Sequence, residues 1–503
     1  MKPLAIIPAL IATSLAIATP VSAQDDNPAK AWLTPEQVAA DIAIAESAYS
    51  RIHPGYTRYA SADEMRGAWQ AILDKSLADD GMTVGDLYLA LSLTLTNIRC
   101  DHTKAELPVA LRKARSGRPL YLPFRWELVE GRGLIDTAPQ GSGLSRGDEI
   151  LSIDGRALAE ISSTVGKYIP VDGFTEWSRT SQISSSAEFM GGGVDHFGAL
   201  LWNVPPTATL EVRGEDGATR SVMVPRIDYT AWRALGREAG QASNFKDAVR
   251  FERIGDNAAM LRVDTFVNYR TPVDPQELYR PIFNALRKEG RDTLILDLRK
   301  NGGGSTDASM GLVANLVPDA RQFMTEFRAA TLDHSPWEGL ISTWAQEALN
   351  PDPRGFIANK DGSYTLRNGV LEDTGIVEPT DVTFDGKLII LTSKNNSSGS
   401  TNILAHLSSR PNTVTIGEKT GGSAEGPTAG VLFFLTLPES GAKLRIPMFR
   451  QWNNTDSFEE GMGVTPQINA PMTVNAFIEG RDPALEQAIS IAERTTMAPN
   501  EAS

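Results

Sequence analysis

The sequence predicts an α/β protein with a helical N-terminal segment, a β-rich middle and a C-terminal unit built on parallel strands. Three observations carry that expectation. Apolar residues recur at helical spacing between about 30 and 107, and after about 118 the period shortens to alternation. From about 248, two near-continuous apolar runs, Thr293 to Leu298 and Lys387 to Thr392, each pass through a Gly/Ser-rich turn, as βαβ units demand. With 41% hydrophobic and 22% charged residues the chain can bury a sizeable core, which excludes wholesale disorder. Its 503 residues leave room for roughly three domains.

Residues 1–23 read as a secretory signal: Lys2 is a short positive start, Leu4 to Ala18 is apolar, and Val21-Ser22-Ala23 fits a small-x-small cleavage site before Gln24. The apolar run is too short to be a comfortable membrane anchor. The expected location is therefore periplasmic or secreted. The helical subdomain, 30–107, opens on Thr34-Pro35-Glu36-Gln37, an N-cap, a proline at the first helical position and a capping-box glutamine. Val38, Ile42, Ala45, Tyr49 and Ile52 then form one apolar stripe, repeated by Met65, Trp69 and Ile72 and by Leu87, Leu91 and Ile98. In the C-terminal unit, 245–492, Asp274-Pro275-Gln276-Glu277 caps a helix with Leu278, Ile282 and Leu286 on one face and Gly290 at its end. Met260 to Val263 and Thr413 to Ile416 are further strands.

Composition excludes several function classes. Lys and Arg total 48 against 62 Asp and Glu, a net charge of −14, which argues against nucleic acid as a partner. The one cysteine, Cys100, cannot close an intramolecular disulfide, and five histidines without cysteine partners give no zinc framework. No cofactor or metal is expected. The sequence says nothing about oligomeric state.

The middle region, 115–230, contains Gly147-Asp148-Glu149-Ile150-Leu151-Ser152-Ile153-Asp154-Gly155 and a hairpin signal at Asp216-Gly217. It resembles a PDZ domain, with 157–206, which holds Gly191-Gly192-Gly193, as an insertion. Tyr121-Leu122-Pro123-Phe124 stands where such domains carry their carboxylate-binding loop, and proline there removes a donor.

Two strand-to-helix turns carry the chemistry: Arg299-Lys300-Asn301-Gly302-Gly303-Gly304-Ser305, and Ser393 to Thr401. Glycine lets backbone N–H groups approach a ligand, and a serine at a helix start sits in a positive field. Neither a P-loop nor a GxGxxG spacing is present. Together with Gly417-Glu418-Lys419-Thr420-Gly421-Gly422, Glu460-Gly461-Met462-Gly463-Val464-Thr465-Pro466 and an upstream Asp101-His102-Thr103, they resemble the tail-specific, C-terminal processing serine peptidases, which include the tricorn core.

That resemblance covers nearly the whole chain after residue 23 and implies a Clp-protease/crotonase-like α/β core. It implies Ser398 as nucleophile, with Ser397 and Ser400 as local rivals, and an oxyanion hole from the N–H groups of Gly399 and Gly303, with Gly302 second. Ser423 stands where many members carry a lysine base, and Lys394 and Lys419 lie off that position. The resemblance therefore implies the histidine-based branch, with His102 as base and Glu460 orienting it, Glu459 being the neighbouring competitor. His53 and His406 read as a helix cap and a packed helix residue; His196 and His334 are expected in exposed irregular segments. The function implied is an exported endopeptidase acting on unfolded or extended polypeptide. A non-catalytic peptide or apolar-ligand binder, and a hydrolase of small esters or amides, remain open beside it.

Overall fold

The first long helix, α1 (Pro35–Ile52), starts where Thr34 and Gln37 close the reciprocal capping box, and its predicted stripe from Val38 to Ile52 is buried. A second capping box, Ser61 with Glu64, opens α2 (Ala62–Ala78), which buries Met65, Trp69 and Ile72. Helix α3 (Val84–Thr96) is followed by the turn that carries Cys100, Asp101 and His102. This computed structural model describes residues 27–238, 242–371, 374–455 and 458–497. The signal expected at 1–23 lies outside the described residues. No helix among them is long and apolar enough to cross a membrane.

The middle region is an antiparallel sheet of β1 (Arg125–Val129), β2 (Arg132–Thr137), β3 (Glu149–Ile153), β4 (Thr207–Arg213) and β5 (Thr219–Pro225), in that order. Asp216-Gly217 turns β4 into β5, and Gly217 takes a φ of 80° that favours glycine. The segment read as an insertion is structured. It contains α4 (Leu158–Gly166), α5 (Gly193–Leu201) and, between them, a loop at 169–177 that reaches the C-terminal unit.

In the C-terminal unit, Asp274 accepts from Gln276 N–H to begin α6 (Pro275–Glu289), which ends on left-handed Gly290. Its buried face is Tyr279, Phe283 and Leu286, so the expected stripe is rotated: Leu278 and Ile282 flank the core half-buried. One sheet runs β6 (Val249–Ile254), β7 (Ala258–Val263), β8 (Thr293–Asp297), β10 (Lys387–Thr392), β11 (Thr413–Gly417) and β14 (Ile468–Asn469). All its pairs are parallel except β6 with β7. Leu294, Leu296, Leu388 and Ile390 face the main core with Leu312 of α7 (Thr306–Val313) and Leu404 of α8 (Ser398–Leu407). Ile295, Ile389 and Leu391 face Ala484 and Ala488 of α9 (Pro483–Met497). Burial on both faces is why these strands read as unbroken apolar runs.

A second, antiparallel sheet includes β9 (Met324–Ala329), β12 (Thr428–Thr436) and β13 (Lys443–Asn453). Ala105 and Glu106 pair with Leu444 and Lys443 of β13, which stitches the chain just after His102 onto the C-terminal unit.

Leu296→Ala removes a fully buried side chain between sheet and helices and is expected to cost about 2–5 kcal/mol. Leu77→Ala, at a 68% exposed position, should stay within about 0.5 kcal/mol. Guanidinium midpoints compare the two.

Candidate active site

Strand β10 ends at Thr392, and α8 begins at Ser398. The loop between them is held by buried Asn396. Its Oδ1 accepts from Ser393 N–H at 2.7 Å, and its Nδ2 faces Leu298 O at 2.6 Å, Asn301 O at 3.1 Å and Ser400 Oγ at 3.0 Å. One amide thereby ties the two strand-to-helix turns together. Ser398 has a φ of 51°, in the left-handed region that a non-glycine residue enters at a cost of order 1–3 kcal/mol. The three serines differ in their surroundings. Ser397 Oγ donates to the Asp101 carboxylate, and Ser400 is buried against Asn396. Ser398 is half-buried, and its Oγ makes no hydrogen bond among the described residues.

The Gly-rich turn meets this serine at van der Waals distance. A Cβ on Gly303, whose φ is 100°, would lie 2.8 Å from both Ser397 O and Ser398 Cβ and 3.0 Å from Gly399 N. No other residue fits. The expected use of Gly303 N–H as an oxyanion donor needs correction, because it donates to Asn301 Oδ1 at 2.8 Å. Asn301 is itself fixed, its Nδ2 donating to Val263 O at 3.0 Å. The N–H groups of Gly399, in the first turn of α8, and of Gly302 have no partner among the described residues.

His102 stands on a turn closed by Thr103 N–H to Cys100 O at 3.1 Å, which follows Arg99 at a φ of 54°. His53, the C-cap of α1, pairs through Nε2 with Thr103 Oγ1 at 2.9 Å, and Gly173 N–H donates to Arg99 O at 2.9 Å. His102 Nδ1 lies 2.7 Å from Asp101 Oδ1, and Asp101 also accepts from Ser397 Oγ. Burial pulls the His102 pKa down, but the Asp101 carboxylate outweighs it and holds the imidazole well above its ordinary 6.5. Burial raises Asp101, and its ion pair with His102 returns it to well below the usual carboxylate range. No hydrogen bond joins His102 to Ser398 among the described residues.

Glu460 does not face His102. Its side chain is 71% exposed, and its carboxylate is 3.4 Å from Arg58 Nη2. The carboxylate against the imidazole is Asp101, one residue away in sequence, a contact that the family motif hid because it directs attention to the Glu-Gly turn. Burial also corrects two other histidines: His196 is packed inside α5 against Tyr88 OH at 2.7 Å, and His334 is buried 4.6 Å from the Phe433 ring. His53 and His406 are the cap and packed residue expected, each pushed down by burial, to about 3 and about 4.

Sequence reasoning missed a buried polar cluster beside this turn. Glu425, 2% exposed, is paired with Arg58 and lies 3.0 Å from Arg450 Nη2. Ser423, at the place where many relatives carry lysine, gives its N–H to Asp172 Oδ2 at 2.8 Å. Burial, reinforced by the Asp101 charge, pushes Asp172 up to about 7. Asp172 begins the strap 172–177, in which Phe174 N–H donates to Gly461 O at 2.7 Å, Thr175 Oγ1 to Gly421 O at 2.7 Å and Trp177 Nε1 to Thr420 O at 3.0 Å. These partners are hundreds of residues apart, so no local pattern announces them.

Residues 257–470, the stretch holding both glycine- and serine-bearing turns, match the model of peptidase family S41. The chain carries a serine-type S41 peptidase domain. Its fold is similar to mature CPAF complexed with lactacystin, at 16% identity over 92% of this chain and 98% of that one, with a TM-score of 0.62. It is likewise similar to a CPAF mutant, at 15% identity over 93% and 98%, with a TM-score of 0.63. At this identity the likeness establishes the α/β fold. No curated protein sequence matches the chain. The resemblance to tail-specific, C-terminal processing peptidases read from the motifs therefore holds.

Gly303→Ala is expected to displace Ser398 and reduce its labelling by a fluorophosphonate by about tenfold or more, a barrier change of about 1.4 kcal/mol. Gly302→Ala, whose new methyl would find its nearest atom at 3.7 Å, keeps its N–H and should label like the parent.

Proposed function

We propose that the protein is an exported serine endopeptidase acting on unfolded or extended polypeptide, with Ser398 as nucleophile, His102 as base and Asp101 orienting it. The observation that carries this reading is the chain of contacts from Ser397 Oγ through the Asp101 carboxylate to His102 Nδ1. It anchors the base's turn to the residue before the strained serine. With Nδ1 drawn toward the Asp101 carboxylate by charge, the imidazole has Nε2 left for the Ser398 proton. Contact between the two is made on substrate binding, since catalytic hydrogen bonds are often long in the free enzyme.

Ser398 Oγ attacks the scissile carbonyl as its proton passes to Nε2. The oxyanion is held by Gly399 N–H at the helix start, with Gly302 N–H as the second donor. The imidazolium then protonates the leaving amine, and water, deprotonated by the same nitrogen, releases the acyl group and restores Ser398. Half-buried Ser398, seated where two loops meet, favours an extended chain over a folded surface. The apolar 1–23 segment supports export, and the secreted protein is expected to begin at Gln24.

Ser398→Ala should abolish casein hydrolysis with an unchanged melting curve; turnover at the parent rate would overturn the assignment. The base must be neutral, so kcat/KM should climb with pH along a limb lying above 6.5, the ordinary value that Asp101 raises. Asp101→Asn should move that limb to lower pH and reduce kcat by roughly 10⁴-fold. Glu460→Gln should leave both near the parent values. A limb that Glu460→Gln moves and Asp101→Asn does not would restore Glu460 as the orienting group.

A further inference from the structure

The turn that carries the base also brings together three metal-binding side chains. Cys100 Sγ, a carboxylate oxygen of Asp101 and a ring nitrogen of His102 all lie within 4.8 Å of one another. Asp101 Oδ1 and His102 Nδ1 are buried and 2.7 Å apart, yet neither has a hydrogen-bond partner of acceptable geometry. Buried polar atoms that face one another without bonding properly are unusual and call for an explanation.

We propose that Cys100 Sγ, an Asp101 oxygen and His102 Nδ1 form a three-ligand site for a soft divalent cation, zinc above all, whose binding switches the peptidase off. Metal binding itself stands apart from the peptidase reading; the inhibitory consequence rests on His102 being the base. Tetrahedral zinc, with bonds of about 2.0–2.3 Å, holds its ligand atoms about 3.3–3.8 Å apart. The turn reaches that by a small separation of Nδ1 from Oδ1 and by closing whatever part of the Sγ distances, at most 4.8 Å, exceeds that spacing. A thiolate with an imidazole and a carboxylate suits zinc and disfavours magnesium and calcium, which take oxygen alone. Thiolate and carboxylate together cancel the dication's charge, so a buried turn can hold the complex. Three protein ligands leave the fourth position to water.

The surroundings already restrain the ligands. Cys100 Sγ lies 3.4 Å from Thr428 O, Asp101 accepts from Ser397 Oγ, and Thr103 closes the turn under His53. Binding releases the thiol proton and the proton on Nδ1. An imidazole coordinated through Nδ1 carries its remaining proton on Nε2, so it cannot take one from Ser398. The same cation detaches Asp101 from its orienting contact. Inhibition therefore follows from where the proton sits and needs no blockage of the cleft.

The test uses the full chain with Co²⁺ or Zn²⁺ alone. One Co²⁺ per chain should give a near-ultraviolet thiolate-to-cobalt charge-transfer band, in the parent and in Ser398→Ala alike. Zn²⁺ should inhibit casein hydrolysis reversibly with a chelator. Cys100→Ser should lose the band and need about tenfold more zinc or greater for the same inhibition, with its metal-free kcat/KM near that of the parent. Should that variant fold poorly, His102→Ala read by Co²⁺ binding takes its place, with weakened binding expected. Saturating Co²⁺ without a thiolate band in the parent, or equal zinc sensitivity in Cys100→Ser, overturns the site. A band in a protein without hydrolysis would uphold the site and sink the peptidase reading instead.

Discussion

A carboxylate and an imidazole on adjacent residues, half-buried and 2.7 Å apart, set the terms for everything around them. Their attraction fixes which ring nitrogen faces inward, and it also stabilises the protonated ring. The linkage has a definite sign. His102, raised above 6.5, adds stability that is full below that value and disappears as pH rises through its folded pKa. Asp101, lowered from 3.8, adds stability that is full above that value and disappears in acid. Between about 4 and 6.5 both contributions are complete, and there the imidazole is least able to accept a proton. Stability and basicity pull in opposite directions at one contact, so the fold must supply the rigidity that the pair gives up when it is used.

That rigidity comes from pieces remote in sequence. Ala105 and Glu106 hold the chain after His102 to β13, and His53 secures Thr103 from the end of α1. The 172–177 strap, from the middle region, bonds to Arg99 on one side and to Thr420, Gly421 and Gly461 on the other. Asn396 and Asn301 do the same inside the α/β unit, using every polar atom of buried amides to fix two glycine- and serine-rich turns. Flexible sequence is thereby placed on a rigid frame, which is what close approach of Gly303 to Ser398 requires.

What the sequence disclosed follows the range of the interactions. The Thr34 and Ser61 caps, the Asp274 to Gly290 helix and the buried parallel strands are local or periodic signals, and each appears where it was expected. The errors are spatial. Leu278 and Ile282 are displaced from the core by Tyr279 and Phe283, because a helical wheel gives the stripe but not its rotation against a neighbour. Glu460 was placed by its motif beside glycine, yet its exposed carboxylate turns to Arg58. Gly303 is where its motif puts it, while its N–H goes to Asn301, a detail of side-chain direction that spacing does not encode. The Glu425, Arg58, Arg450 and Asp172 cluster joins four separate stretches of chain and left no periodic trace.

The middle region shows the same principle from the other side. The sequence predicts that its segment Tyr121 to Phe124 stands where PDZ-like domains carry a carboxylate-binding loop. Here Tyr121 N–H goes to Ile227 O at 3.1 Å, Leu122 N–H goes to the Asp195 carboxylate at 3.2 Å, and Pro123 has none to give. Asp195 is buried, and burial pushes it up to about 7 against the pull of Arg226. An internal carboxyl group thus already takes the Leu122 N–H donor of this segment. Displacing it would leave a buried acid beside Arg226 without its backbone partner, a penalty of about 1–3 kcal/mol before any contact with a ligand is made. What the region visibly contributes to the site is mechanical: its strap bonds Arg99 beside the His102 turn and Thr420 and Gly421, and Gly421 N–H in turn donates to Asn396 O in the loop before Ser398.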